Sequence, residues 1–413
     1  MRLALVTDAY LPSRTSAAVQ MRDLAHELAR QGHVPTVLVP ESNLDRNWEI
    51  ANAESVEVLR LRAPRTKDIS NLRRVAAEFA LPYYMMRGLS RSPLAKTQWD
   101  GVVWYSPSIF LGPLIKSLKR ASNCKSYLVL RDIFPDWAAD TGVLNRGPAF
   151  RLLKLVQRYQ FSVSDIIGVQ TPANLPFLNS WARRPGRRLE VLHNWLAPSS
   201  KECIPPFVER SRLRNRTLFV YAGNMGIAQD MEFIVALAER MREREDVGFL
   251  FVGRGTAVSA LRQRRTQLDL KNVEFYDEVD PSLIPGLLAK CHVGIVALDP
   301  RHTTHNIPGK FLTYLQAGLP VLARINPGND LENLINSKRV GRAYTGCSLE
   351  EFERVSLDLL ANREELEAMG RRGRELAKRL FSVEAAASQV VRALRARPSR
   401  TCNESSSGHR VQP

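Results

Sequence analysis

The strongest constraint on the fold is an alternation of short apolar runs with longer amphipathic segments, repeated along most of the chain. The run at residues 3–6 is followed by a segment with apolar residues at helical spacing, and then by a second run at 33–39. Ser16 is placed to cap the start of this helix and Gly32 to end it. The pattern predicts a strand–helix–strand unit of a parallel sheet.

The same alternation predicts two domains. Apolar runs continue to about residue 194, a segment rich in proline and serine follows, and a second series begins at residue 217. A chain of 413 residues also exceeds what one hydrophobic core usually holds. We therefore expect two doubly wound α/β domains, at 1–205 and 206–380, with ligands bound beyond the carboxyl ends of the strands.

The chain is strongly basic, with 59 Lys and Arg against 42 Asp and Glu and a formal net charge of +17. This charge favours an acidic partner: nucleic acid, an anionic membrane surface or a phosphorylated substrate. No helix-turn-helix, RNA-binding or zinc-finger pattern accompanies it, so we do not expect nucleic acid as a partner. Five scattered cysteines without a Cys-x-x-Cys pair predict a reduced, cytosolic chain, and no apolar run approaches the ~20 residues that span a bilayer.

Two strand ends in the second half finish in glycine-bearing turns, at residues 220–226 and 251–255. Glycine there lets a ligand approach backbone N–H groups, and the helix that follows presents its positive end to an anion. Arg254 suits a phosphate at such a position. The alternative is that these are ordinary strand-to-helix turns, which often contain glycine.

A third loop on the same edge precedes the helix predicted in residues 304–321, THNIPGKFLTYLQAGLPV. Pro308 fits the first turn of this helix, and Lys310 lies within the same turn. A lysine at a helix N-terminus opposes the helix dipole, so helix stability does not explain it. A bound phosphate would explain it; the alternative is a lysine that points to solvent.

Five segments of the second half stand in an order that resembles the donor-binding half of retaining glycosyltransferases of family 4, which have the GT-B fold. They are YAGNMGIAQDMEFI, FLFVGRGTAVSAL, NVEFYDEVDPSLIPGLLAKCHVGIVAL, NIPGKFLTYLQAGLPVLA and EELEAMGRRGRELAKRLFS. In the first half, DAYLP, RDIFPDW and VLHNW also resemble the family. Gly-Asn-x-Gly-x-Ala-Gln at 223–229 and Arg-Asp-x-x-Pro at 131–135 resemble the branch of bacterial surface-polysaccharide (O-antigen and capsule) transferases that includes N-acetylfucosaminyltransferases.

The resemblance implies two Rossmann-like domains that face a central cleft, an acceptor-binding domain first and a nucleotide-sugar domain second. It also implies that residues 381–397 form a helix that crosses back to the first domain; the polar stretch 398–413 we expect to be disordered. The implied donor-binding residues are Gly223, Asn224, Gly253, Arg254, Tyr276, His305, Asn306, Pro308, Gly309, Lys310 and Thr313. The implied acceptor-binding residues are Tyr10, Ser16, Arg131, Asp132 and Asp136.

The chain departs from the family at the donor site. The family's Glu-x7-Glu pair aligns with His305 and Thr313, and a threonine hydroxyl cannot accept two ribose hydrogen bonds as a carboxylate does. The family's pyrophosphate-binding Arg and Lys align with Asn224 and Gln229. The donor is therefore expected to be held by its phosphates more than by its ribose.

The resemblance implies sugar transfer with retention, from a UDP-linked donor to a lipid-linked saccharide in bacterial cell-surface polysaccharide synthesis, without a metal or cofactor. Catalysis is then mainly stabilisation of the departing diphosphate, for which Lys310 and Arg254 are the candidates. Asp132 is a candidate to assist the acceptor hydroxyl. Asp132 and Asp136 can equally be caps or partners of loop salt bridges.

Residues 62–98 hold eight Lys or Arg against two acids, interleaved with aromatic residues and methionines. Such a segment can rest on an anionic lipid surface, which predicts a cytoplasmic protein peripheral at the inner face of the cell membrane. The alternative is a solvated helix face.

Two other functions stay open. One is a nucleotide-sugar epimerase of the same fold. The other is a degenerate, non-catalytic partner of a true transferase, which the missing Glu pair favours.

Overall fold

The chain forms two parallel β-sheets with helices on both faces of each, as seen in a computed structural model that describes residues 1–13, 15–66, 69–106, 108–140, 142–198, 203–300 and 307–396. The predicted pair of doubly wound α/β domains is thereby confirmed. The predicted tail at 398–413, His305 and Asn306 lie outside the described residues.

The first sheet has the strand order β3-β4-β2-β1-β5-β6-β7-β8, parallel except for the β3–β4 pair. Its strands are β1 (Arg2–Val6), β2 (Val34–Glu41), β3 (Trp48–Ala53), β4 (Val56–Arg62), β5 (Gly101–Tyr105), β6 (Lys125–Leu130), β7 (Ile166–Val169) and β8 (Arg188–Val191). Its helices are α1 (Ser16–Arg30), α2 (Asn71–Ser90), α3 (Gly112–Ser122), α4 (Asp136–Asp140), α5 (Pro148–Val163), a 3-10 helix (Pro172–Leu178) and α6 (Asn179–Ala182).

The second sheet is fully parallel, with the order β11-β10-β9-β12-β13-β14. Its strands are β9 (Thr217–Ala222), β10 (Val247–Val252), β11 (Val273–Tyr276), β12 (Val293–Ala297), β13 (Val321–Arg324) and β14 (Gly341–Tyr344). The helices that precede and surround it are α7 (Pro206–Glu209), α8 (Met231–Arg240), α9 (Val258–Gln267), α10 (Ile284–Leu288), α11 (Gly309–Ala317), α12 (Asp330–Lys338), α13 (Leu349–Leu360) and α14 (Arg363–Leu380), with 3-10 turns at Ile227–Gln229 and Pro281–Leu283. The last helix, α15 (Val383–Arg395), follows the second sheet in the chain.

Helix α1 begins one residue earlier than its predicted cap allows. Thr15 is the N-cap and accepts a hydrogen bond from the backbone N–H of Ala18, whereas Ser16 is the first helical residue. Both residues are hydroxyl-bearing, so the sequence alone could not choose between them. Gly32 follows the helix with φ +79°, as its predicted role at the helix end requires.

The pattern of the sequence did not predict the β3–β4 hairpin. Its two turn residues, Glu54 and Ser55, both have positive φ (49° and 72°), a conformation that Asn-Gly or Asp-Gly usually signals. Because this turn contains no glycine, the sequence carries no signal for it. The hairpin extends the sheet at the edge away from β8.

The two domains are joined by two chain crossings that lie side by side. The N–H of Leu196 in the first crossing donates to the carbonyl of Phe381 in the second at 2.9 Å, and Val383 donates back to Leu196 at 3.3 Å. Beyond this point α15 packs its apolar face into the core of the first domain, against α1 and β6.

Candidate functional site

The loops after β9 and β10 touch each other at the carboxyl edge of the second sheet. A Cβ built on Gly253 would lie 2.0 Å from the carbonyl oxygen of Gly223, and both glycines have left-handed φ (147° and 137°). The N–H of Met225 donates to the carbonyl of Arg254 at 2.7 Å. The two loops therefore form one closely packed backbone surface that leaves no room for a side chain at Gly253.

Gly253→Ala is accordingly expected to disrupt this surface, since alanine adds a backbone clash to a φ that costs about 1–3 kcal/mol in non-glycine residues. Nucleotide binding, measured by calorimetry, should be lost, with a lower melting temperature. Gly147→Ala is the control because a Cβ there meets nothing within 4 Å. Unchanged nucleotide affinity in Gly253→Ala would contradict this reading of the loops.

Lys310 extends over the loop that follows β9. Helix α11 begins at Gly309, and Pro308 is its N-cap in extended conformation (ψ 141°), one position before the predicted first turn. The Lys310 ammonium lies 4.8 Å from the centroid of the Tyr221 ring, and it would be 3.0 Å from a Cβ on Gly223. The structure thus brings together the three loops that the sequence marked out.

The ammonium of Lys310 is a half-buried cation without a carboxylate partner. Burial lowers its pKa to about 8 from the usual 10.5. Lys310 forms no ion pair with any residue that the structure describes; its cation–π contact with Tyr221 stabilises the charge only in part. A desolvated, unpaired cation at a helix N-terminus is suited to an anionic ligand.

Arg254 lies at the mouth of this site rather than inside it. Its side chain is 77% exposed, and its Nε is 3.3 Å from a carboxylate oxygen of Glu278. An exposed pair of this kind contributes at most about 1 kcal/mol, so the guanidinium is free to exchange Glu278 for a phosphate.

The remaining implied donor residues are engaged with their neighbours. The Asn224 amide donates to Gln229 at 3.2 Å, which joins the two amides that replace the family's cations. The Tyr276 hydroxyl donates to Glu274 at 2.6 Å, and its ring stacks on Phe207. The Thr313 hydroxyl donates to the carbonyl of Gly309 at 3.2 Å, so only its lone pairs are available to a ribose.

On the first domain, Arg131 is engaged in holding the chain crossing. Its guanidinium is buried, donates to the carbonyls of Leu192 (2.7 Å) and His193 (3.2 Å), and lies 4.7 Å from the ring centroid of Trp195. Burial lowers the pKa of Arg131. Its two terminal nitrogens therefore support the fold at the crossing, while its buried Nε has no hydrogen-bond partner among the described residues.

Asp132 is partly buried beside Arg131 and forms no hydrogen bond with the described residues. Burial raises its pKa, against the opposing effect of Arg131. Such a carboxylate is more basic than usual and is suited to accept a proton from an acceptor hydroxyl. Asp136, in contrast, is paired with Lys154 at 2.9 Å.

Tyr10 and Ser16 have opposite environments. Tyr10 is a core residue, 3% exposed, and burial raises its pKa to about 12. Its hydroxyl has no hydrogen-bond partner among the described residues. Ser16 is exposed at the start of α1.

Sequence reasoning missed a pair of buried amides that join the domains at the cleft. Gln170 and Asn194, both in the first domain, donate to the carbonyl oxygen of Ile307 at 3.0 Å and 3.2 Å. Ile307 directly precedes Pro308, the N-cap of α11, so this amide clamp fixes the backbone three residues before Lys310. The available signal was a glutamine at the end of a fully apolar strand and an asparagine before a buried tryptophan.

The amide clamp continues into the first domain. Asn194 accepts a hydrogen bond from Gln20 at 3.2 Å, and Gln20 accepts one from the hydroxyl of Tyr105 at 2.9 Å. A second interdomain contact lies nearby, from the N–H of Ala173 to Asp330 at 2.8 Å.

Among the residues described, no group of three His, Cys, Asp or Glu side chains is arranged to hold a metal ion, and no helix has the length and apolar character to cross a membrane.

Residues 216–362 match the family model described as glycosyl transferases group 1. The probable glycosyltransferase WbjE of Pseudomonas aeruginosa is 24% identical over 229 residues, 54% of this chain and 57% of that protein. The putative colanic acid biosynthesis glycosyl transferase WcaI of Escherichia coli (strain K12) is 22% identical over 69% of this chain and 74% of its own length.

Among solved structures, Anabaena HepE in complex with UDP and glucose superposes with a TM-score of 0.64 at 14% identity, over 95% of this chain and 99% of that one. The two sheets and their cleft therefore make up the GT-B fold.

Proposed function

We propose that this chain, whose residues 216–362 match the model of group 1 glycosyl transferases and which has a GT-B fold, transfers a sugar with retention from a uridine nucleotide sugar to a lipid-linked saccharide. The observation that carries the proposal is Lys310: a half-buried ammonium that forms no ion pair with the described residues, placed where three ligand-edge loops meet.

The donor half of the reaction follows from this geometry. The diphosphate would lie between the N-terminus of α11, the Lys310 ammonium and the close-packed backbone at Gly223 and Gly253. As the bond from the sugar to the diphosphate breaks, negative charge grows on the leaving oxygen. Lys310 and the backbone N–H groups are already in position and stabilise that charge without reorganisation. Arg254 adds a second cation when it leaves Glu278.

The acceptor half rests on Asp132. In retaining transfer the acceptor hydroxyl attacks from the side on which the diphosphate departs, so the leaving phosphate oxygen can take up the hydroxyl proton. Asp132, with a raised pKa, is placed to orient that hydroxyl or share its proton.

Two comparisons support the choice of substrates. HepE was solved with UDP and glucose, which supports a uridine nucleotide as donor. WcaI is named as a glycosyl transferase of colanic acid biosynthesis, which supports an acceptor in bacterial polysaccharide assembly.

The direct test is incubation with a panel of nucleotide sugars and lipid-linked saccharides, read by mass spectrometry. We expect one donor to give a saccharide one sugar longer, with the α or β configuration of the donor retained by NMR. Conversion of the nucleotide sugar without an acceptor would instead indicate the epimerase. No turnover with any donor would support the non-catalytic partner.

The acceptor is expected to meet the protein at a membrane surface, on the outer face of α2. Tyr83 and Tyr84 are 61% and 47% exposed there. Arg73 and Arg87 are also exposed and lie on the same side of the helix by their spacing. Aromatic and basic side chains together suit the interface of an anionic bilayer.

Tyr83→Ser with Tyr84→Ser is therefore expected to lower binding to vesicles that contain phosphatidylglycerol, measured by flotation. Wild-type binding should weaken as salt rises, because exposed charges are screened within about 10 Å at 0.1 M. Val34→Ser is the control, since Val34 is 55% exposed at the opposite, amino-terminal edge of the sheet. Wild-type binding that ignores lipid charge and salt would count against this face.

A further inference from the structure

The first domain contains a cavity of about 510 Å³ between α5 and the segment that holds the 3-10 helix and α6. Its apolar wall includes Phe161, Phe177, Leu178 and Trp181. The indole N–H of Trp181 donates to the carbonyl of Phe161 at 2.7 Å, so the polar group of the indole is satisfied within the wall. The volume is in the range of pockets that hold a small organic ligand.

One end of the cavity reaches the carboxyl edge of the sheet, where the acceptor is expected. Leu130, the last residue of β6, and Ile133 both line it. Asp132, the candidate partner of the acceptor hydroxyl, lies between these two in the chain. A ligand that fills the cavity as far as Leu130 and Ile133 would thus come next to this candidate acceptor residue.

The rim of the cavity carries positive charge. Arg158 and Arg184 line it, are exposed, and form no hydrogen bond or ion pair through their side chains within the described part of the chain. Lys154 also lines it but is neutralised by Asp136. Two unpaired guanidinium groups beside an apolar wall fit a ligand with an anionic phosphate and an apolar body.

The surface outside the rim is apolar. Phe177 is 60% exposed, and Leu155 and Leu152 on α5 are 59% and 48% exposed. Helix α5 packs beside α3, and α3 beside α2, so this surface and the α2 tyrosines lie on the same face of the sheet. Exposed apolar side chains in a continuous group mark an interaction site.

We infer that this cavity binds the lipid phosphate of a membrane-embedded acceptor: the phosphate at Arg158 and Arg184, and the first part of the hydrocarbon chain against Phe177 and Trp181. The inference rests on the proposed function and names the part of the acceptor that this chain recognises. The rest of the lipid extends over Leu155 and Leu152 into the bilayer.

The test is to measure the binding of farnesyl phosphate to the protein by calorimetry, with no nucleotide sugar present. Wild-type protein should bind saturably, and the Arg158→Ala, Arg184→Ala double variant should bind at least about tenfold more weakly, because it loses both charge-assisted contacts. The control is Arg120→Ala with Arg183→Ala, which removes the same charge from exposed arginines that do not line the cavity. Farnesol and inorganic phosphate, each lacking half of the ligand, should both bind more weakly than farnesyl phosphate.

Equal binding by the two double variants would overturn the inference, as would inorganic phosphate that binds as tightly as farnesyl phosphate. A dimer in wild-type protein that Phe177→Ser dissociates, without lipid binding, would assign the apolar surface to a second copy instead. Because this assay measures binding and not turnover, it tests the cavity even if the protein transfers sugar from no donor. Conversely, transfer to a lipid-linked saccharide with an unchanged KM in Arg158→Ala, Arg184→Ala would leave the proposed function standing and reject this site.

Discussion

Lys310→Met is expected to lower kcat/KM for the nucleotide sugar by about 10²–10³-fold, the usual cost of removing one preorganised group that stabilises transition-state charge. Methionine retains the length of the side chain, so its packing over Tyr221 and Gly223 is largely kept. Steady-state kinetics with the donor identified by the panel assay give the measurement. Lys338→Met, at an exposed position in the last turn of α12, controls for the loss of one positive charge.

The melting temperature of Lys310→Met shows whether Lys310 serves the function or the fold. Because burial lowers the pKa of Lys310 to about 8, the charged form is disfavoured in the folded protein. The free-energy cost of burying the charged ammonium is present in full below pH 8. It disappears as the pH rises toward 10.5, the pKa of the lysine in the unfolded chain. Lys310→Met should therefore melt at the same or a higher temperature than wild type at pH 7. A large drop in melting temperature would show that Lys310 serves the fold.

The pH dependence of the wild type follows from the same shift. The free enzyme loses the Lys310 proton near pH 8, so kcat/KM should fall above that pH. A bound diphosphate favours the protonated form, and kcat should stay level to higher pH. Lys310→Met should lack the alkaline decrease in kcat/KM.

Gln170→Leu combined with Asn194→Leu should lower kcat by about 5- to 150-fold, because the buried Ile307 carbonyl loses both donors, at a cost of about 1–3 kcal/mol. The start of α11, which carries Lys310, then loses its fixed position against the first domain. The expected pattern is a lower kcat with a smaller change in UDP affinity, since the groups proposed to bind the phosphates, Lys310, Arg254 and the backbone at Gly223 and Gly253, all belong to the second domain.

Asn272→Leu is the matched control for the amide clamp. Asn272 is also buried and donates to a carbonyl, that of Ala238 at 2.8 Å, but both residues lie within the second domain. It should destabilise the protein without a specific decrease in kcat. If the two variants lose kcat in proportion to their loss of stability, the amide clamp has no separate role in positioning the loop.

The fold was predictable from the sequence because the apolar residues of each strand and helix recur at the spacing that burial against a doubly wound sheet requires. The glycine loops and Lys310 were also predictable, since positive φ, close backbone approach and an unfavourable helix charge are local features. Arg131 shows the limit: its sequence position suggested the acceptor, while its guanidinium holds carbonyls about sixty residues further along the chain. The amide clamp and the cavity depend on contacts between distant segments, which one sequence does not reveal.

The paired crossings at Leu196 and Phe381 limit how the two domains can move. Two chain segments that pass side by side between the domains and are hydrogen-bonded to each other can act as a hinge about one axis. They resist twisting or sliding of one domain against the other. The paired crossings therefore favour rotation of the two domains about a single line, and the amide clamp at Ile307 and the Ala173–Asp330 contact are further bonds between the domains. A rotation that separates the two domains at Ile307 would break the Gln170 and Asn194 contacts, and it would also move the backbone that directly precedes the helix of Lys310.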